Sequence, residues 1–114
     1  MADRSCVMHF AEALGRIPGP ADERAVTAMV RGSLDVRLSA RPLRPNQRKI
    51  HTQDELYVVI NGRGVLLHDG RRDPFEAGDC IFVAAGVEHS FEDFSDDLAV
   101  WVIFHGPVGG EQPR

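Results

Sequence analysis

The sequence predicts an all-β domain: a double-stranded β-helix, or jelly-roll barrel, with a short N-terminal arm. Three observations predict it. Short apolar runs of strand length, about eight in number, recur along the chain. Turn signals rich in Gly, Pro, Asn and Asp separate them at intervals of roughly 8–12 residues. No stretch keeps a helical period over a long span. A double-sheet jelly roll is the natural closure for that number of antiparallel strands.

Residues 1–23 form the expected arm. Val7 to Leu14 can make two turns of helix with Phe10 and Leu14 on one side. Ile17-Pro18-Gly19-Pro20 then breaks any regular element. From Arg24 the period changes to two. Val26, Ala28 and Val30 alternate with Ala25, Thr27, Met29 and Arg31, and after Gly32-Ser33 the residues Leu34, Val36 and Leu38 alternate with Asp35, Arg37 and Ser39. This pattern predicts a hairpin with one apolar and one polar face, ended by Pro42 and Pro45.

The barrel is expected to occupy residues 24–107. Glu55–Ile60 is apolar on both faces after its first residue, so it should be a central strand. Asn61-Gly62 reads as a hairpin turn, because both residues tolerate positive φ. Val65–His68 returns, and Asp69-Gly70 turns again. Asp79–Val83 is the next strand, entered from the turn Glu76-Ala77-Gly78. His89–Glu92 and Leu98–His105 complete the series. Trp101, the single tryptophan, reads as a core anchor. Residues 108–114 read as a flexible tail.

The 114-residue length suits one domain. Its composition, 43% hydrophobic and 26% charged, is that of a globular protein with an ordinary core. A net charge of −4 argues against general nucleic-acid binding, which needs a basic face. The local exception is Arg41, Arg44, Arg48 and Lys49, which fit either a charged strand edge or the rim of an anion-attracting pocket. No apolar stretch reaches membrane-spanning length. Met1–Cys6 lacks the apolar run of a signal peptide, so a cytoplasmic location is expected. Cys6 and Cys80 define no disulfide framework or zinc spacing. Cys80, within Cys80-Ile81-Phe82-Val83, reads as a buried small hydrophobe.

Three residues carry the chemistry. His51 and Glu55 flank the short polar turn Thr52-Gln53-Asp54, so their side chains can converge on the barrel interior. His89 begins a later strand, where Gly86 lets the chain turn. Two imidazoles and one carboxylate suit Fe(II), Mn(II), Ni(II) or Zn(II). The same residue types also occur as hydrogen-bonded strand ends, but three of them together favour a metal site. Gln53 offers an amide oxygen as a minor further ligand. Tyr57 lies two residues past Glu55 on the same strand face, as a pocket residue or a core aromatic. His68 and His105 read as polar strand ends.

These residues resemble the cupin superfamily over roughly Lys49 to Pro107. The first cupin motif ends in His-x-His, three or four residues, Glu, six residues, Gly. Here Glu55 and Gly62 hold the last two places, His51 the second histidine, and Lys49 stands where the first histidine belongs. The second motif is matched by Gly78, Gly86, His89 and Asp93, with Ala84 for the usual Pro and Asp93 for the usual Asn. The flanking sequence looks like the small single-domain bacterial cupins. The resemblance implies a jelly-roll barrel, a metal at its mouth held by His51, Glu55 and His89, and frequently a homodimer.

Lys49 admits three outcomes. It turns outward from a three-ligand site, it pairs with Glu55 in place of a metal, or it faces the pocket and binds an anionic small molecule. Two functions follow. One is a metal-dependent enzyme acting on a small organic molecule, with dioxygenase-like oxidation first and isomerase or lyase chemistry next. In it, Tyr57 or Lys49 would orient or protonate substrate. The other is a non-catalytic ligand-binding or sensing module that needs no metal.

Overall fold

The computed structural model describes residues 4–44 and 49–114. One short helix, α1 (Phe10–Gly15), precedes eight strands: β1 (Ala25–Arg31), β2 (Leu34–Ser39), β3 (Asp54–Asn61), β4 (Arg63–His68), β5 (Arg71–Glu76), β6 (Cys80–Val83), β7 (His89–Glu92) and β8 (Ala99–His105). They form a five-stranded sheet in the order β1-β2-β8-β3-β6 and a three-stranded sheet in the order β5-β4-β7. Every pairing is antiparallel. This is the expected all-β architecture with one short N-terminal helix. No helix among the described residues is long and apolar enough to cross a membrane.

Alternation along β3 and β8 builds the interior. Glu55, Tyr57 and Val59 point between the sheets, and Val100, Val102 and Phe104 do the same from β8. They meet Leu66 and Phe75 from the smaller sheet, and Leu98, in one buried cluster. Each such side chain contributes about 1.5–3 kcal/mol by leaving water. β3 lies between β8 and β6, as its two-sided apolar sequence predicts.

The outer face of the larger sheet has a second, smaller core. Ala13 and Ile17 of the arm cover Leu38, Ala40 and Ala99, with Trp101 partly buried beside them. Trp101 is therefore an anchor for the arm, not for the barrel interior. Its odd position in β8 sends it to the face opposite Val100 and Val102.

Four further expectations change. Asn61-Gly62 does not close a hairpin, because β3 and β4 belong to different sheets. Gly62, with φ +84°, carries the chain across the edge; a Cβ there would stand 2.6 Å from Ser95 Oγ and 2.7 Å from Leu98 Cα. β5 was not legible as a strand, since Arg71-Arg72-Asp73-Pro74 has no alternation. It sits at a sheet edge, where Pro74 withholds no needed donor. Cys80 is exposed. β6 is also an edge strand, and its period of two buries Ile81 and Val83 while Cys80 and Phe82 face out. In β1 the register shifts between Thr27 and Met29, a bulge that breaks the simple alternation and leaves Val30 exposed. The Asp69-Gly70 turn does join paired strands, with both residues at positive φ.

Candidate metal centre

Each donor is placed by a different local device. Glu55 is the second residue of β3 and is held between Phe104 and Val83 on the flanking strands. Its side chain is 1% exposed. His89 opens β7 directly after the Gly86 turn and is 3% exposed. His51 lies outside any strand, two residues after a single bridge. In that bridge Lys49 N donates to His89 O at 2.8 Å and His89 N donates to Lys49 O at 3.0 Å. The His51 carbonyl accepts from Gly86 N at 2.9 Å, and its ring meets the edge of Phe104 at 4.7 Å. The two motif segments are thus tied to each other by backbone bonds, which brings both histidines beside one carboxylate.

The donor atoms converge. Glu55 Oε1 is 2.9 Å from His89 Nε2 and 3.8 Å from His51 Nε2. All three donors lie within 4.8 Å of one another. Although the distance to His89 is short, Glu55 Oε1 accepts no hydrogen bond, and His51 Nε2 is likewise buried without a partner. The groups aim at a shared point more than at each other. Leaving a buried polar atom unsatisfied costs about 1–3 kcal/mol, so two together ask for an occupant. Neighbouring donors of one first-row ion, each about 2.1 Å from it, stand roughly 3–4 Å apart. The two distances to Glu55 fall in or beside that range, and no pair of donors is more than 4.8 Å apart. The cluster could therefore hold a divalent ion.

The two histidines differ in protonation chemistry. His89 Nδ1 donates to the Val87 carbonyl at 2.9 Å, which leaves Nε2 as the lone-pair nitrogen facing the cluster. Burial pushes His51 below the ordinary histidine range, against the opposing pull of Glu55. His51 is thus a neutral imidazole with a free lone pair near pH 7. For His89, burial also acts downward, but the Glu55 carboxylate and the Val87 carbonyl outweigh it and raise the group.

Tyr57 is buried, and its hydroxyl donates to His89 Nε2 at 3.0 Å. Burial first, then the nearby Glu55 charge, raises the phenol far above its usual range and keeps it protonated. Tyr57 therefore both packs in the core and lines the site. Lys49 is exposed and borders the cavities on both sides of the cluster. It forms no ion pair with Glu55, so replacement of a metal by Lys49 does not occur here. The Gln53 side chain is engaged elsewhere, its amide nitrogen donating to the Ser33 and Gly106 carbonyls at 3.0 and 2.9 Å. His68 pairs with Asp73 at 2.6 Å on the other sheet. His105 follows Trp101 and Ile103 on the face of β8 away from the interior. Of the basic run, Arg44 pairs with Asp22, and Arg48 lies outside the described residues.

One structural carboxylate was missed from sequence. Asp54 is 5% exposed and accepts from Ala85 N at 3.0 Å and Glu111 N at 2.9 Å. Those bonds hold it below the usual aspartate range. With Gly109 N donating to Thr52 O at 2.7 Å, they tie the start of the segment after β8 to the barrel.

The comparisons with known proteins agree with this architecture. An uncharacterised protein of Streptomyces coelicolor is 37% identical over 62 residues, which cover 54% of this chain and 59% of that protein. The match thus spans less than two thirds of the relative's length. A cupin-2 domain-containing protein of Shewanella frigidimarina superposes with a TM-score of 0.65 at 15% identity, over 85% of this chain and 92% of that one. A cupin 2 conserved barrel domain protein of Salinispora arenicola gives 0.58 at 23% identity, over 72% and 74%. At these identities the two structures speak for the fold alone. The family profile described as "Cupin domain" matches residues 42–105, a span that contains His51, Glu55 and His89, and the chain belongs to that family.

Proposed function

We propose that this protein binds a divalent transition metal (Fe, Mn, Ni or Zn) through His51, Glu55 and His89 and acts on a small organic molecule beside it. One observation carries the reading: two buried donor atoms, His51 Nε2 and Glu55 Oε1, have no partner and face a third donor. Two imidazoles bound as neutral ligands and one carboxylate would leave such an ion with a net charge of +1 and open positions. The metal would supply Lewis acidity or oxygen activation. Dioxygenase-like oxidation is the first reaction class for this donor set, with isomerase or lyase chemistry next.

The chain's own residues have assigned parts. The Val87 carbonyl holds the His89 ring in one tautomer. Tyr57 keeps its proton on the inner side of the cluster, where its hydroxyl donates a hydrogen bond to His89 and steadies that ring. Val102 and Phe104 give the site an apolar wall, which strengthens electrostatic interactions beside it.

The test is elemental analysis of untagged protein beside His51→Ala and His89→Ala. Near-stoichiometric metal in the parent and its loss in both variants is expected. Equal metal in all three sinks the proposal. A second reading rests on the Tyr57–His89 bond, which satisfies His89 Nε2 without an ion. It makes the protein a metal-free binding module. That reading gains if Fe, Mn, Ni and Zn all leave the melting temperature unchanged, since an ion bound only by the native state must raise it.

A further inference from the structure

The donor cluster lies between two cavities of unequal size. The inner one, against Tyr57 and His89, has a volume of about 30 Å³, room for roughly two water molecules. The outer cleft, against His51 and Glu55, has about 390 Å³, within the roughly 300–1,000 Å³ range of small-molecule sites. A ligand of more than a few atoms therefore belongs in the outer cleft.

That cleft has an apolar wall and two cations. Ile50, Val102 and Phe104 supply the wall, and Arg37 and Lys49 the positive charge. The two cations are not equivalent. Arg37 is held by Asp35 in a two-pronged pair, Nε to Oδ1 at 3.0 Å and Nη2 to Oδ2 at 2.9 Å, with its guanidinium 5.3 Å above the Phe104 ring. Its charge is already matched. Lys49 has no ion-pair partner among the described residues. Its backbone is pinned to His89 by the two-bond bridge, so the stem of the side chain starts from a fixed place. Lys49 also borders both cavities. Glu55 and Asp35 balance Arg37 and Lys49 in formal charge, so an ion in the cluster would make the cleft positive overall.

We infer that the outer cleft takes a small organic carboxylate, its apolar body against Val102 and Phe104 and its carboxylate at Lys49. This rests on the reading of the cluster as a metal site, which adds the remaining positive charge. The residue that departs from the family's first histidine position thus serves recognition. Lys49 suits this task because a flexible ammonium is a point-charge donor to a carboxylate and does not compete for a metal.

The experiment is calorimetric titration of the full metal-loaded chain with acetate, benzoate and the neutral isostere benzamide. Lys49→Met and Lys49→Arg are titrated alongside, and metal content is measured in each sample. Benzoate is expected to saturate the parent and to bind more tightly than acetate, while benzamide binds far more weakly. Lys49→Met should weaken benzoate roughly fivefold to tenfold, the size of one partly solvated charge contact, and Lys49→Arg should recover most of it. Metal content should be the same in all three proteins. Equal benzoate affinity in Lys49→Met, equal affinity for benzamide, or no binding of either acid by the parent overturns the inference. If the parent takes up no metal, the metal reading falls separately. The same titration on the metal-free chain then decides the carboxylate inference on Lys49 dependence alone.

Discussion

Asp54 and Glu55 are neighbours in sequence, both carboxylates, both buried, and they have opposite roles. Asp54 points away from the barrel interior and accepts two backbone N–H bonds, from Ala85 and Glu111. Glu55 points inward, and its Oε1 has two imidazoles near it and no hydrogen bond. The period of two along a strand accounts for the difference. One carboxylate is spent on structure. The other is held in a state that the fold alone does not satisfy. Burial of a carboxylate by itself therefore does not separate the two; the unsatisfied atom does.

The largest expected effect lies on the Glu55 side. Glu55→Gln should abolish metal uptake, read by elemental analysis, yet the metal-free variant should melt no lower than the metal-free parent. Gln keeps the size of the side chain and brings no buried charge, so the relief of desolvation offsets the loss of the 2.9 Å approach to His89. A large loss of stability in metal-free Glu55→Gln would show that Glu55 is a structural carboxylate like its neighbour. Asp54→Ala should do the reverse. Its melting temperature should fall by roughly 5 °C as two partly buried backbone N–H groups lose their acceptor, while metal uptake persists. Metal loss in this variant would erase the distinction.

A pH titration of stability sharpens the same contrast. The folded-state pKa of Asp54 is depressed below its ordinary 3.8. Its contribution is therefore present in full above that value and is lost as pH falls through the lower folded value. Acid unfolding of Asp54→Asn should be shallower than that of the parent in this window; superimposable curves would remove Asp54 from the account. The smallest effect is expected at Tyr57. Tyr57→Phe removes one buried hydrogen bond to His89 and should cost about 1 kcal/mol in denaturant unfolding, with metal uptake retained. If metal uptake disappears as well, the phenol is part of the donor set.

Much of the site was legible in sequence because its donors sit at motif spacing. His51, Glu55 and His89 needed only the register of two strand-and-turn segments to be read together. Legibility failed where a residue's fate depends on which strand lies next to it. Cys80 belongs to an apolar run that looks buried, but an edge position turns every second residue outward. Trp101 reads as a core anchor and does pack against a core, but which core is set by its parity in β8, which puts it under the arm. Asn61-Gly62 has hairpin chemistry and serves instead as a passage between sheets. β5 is too charged to be read as a strand, and an edge asks for no apolar face.

By itself the sequence determined the strand periods, the turns and the identity of three convergent donors, because these rest on local alternation and on side-chain chemistry. The tertiary structure alone decided how the donors are used. It tied Lys49 to His89, turned Asp54 to the tail and Glu55 to the histidines, and left Lys49 without an ion-pair partner among the described residues, at the cleft beside a guanidinium already matched by Asp35. Those outcomes depend on contacts between residues distant in the chain, and local periodicity carries no record of which distant strand supplies the partner.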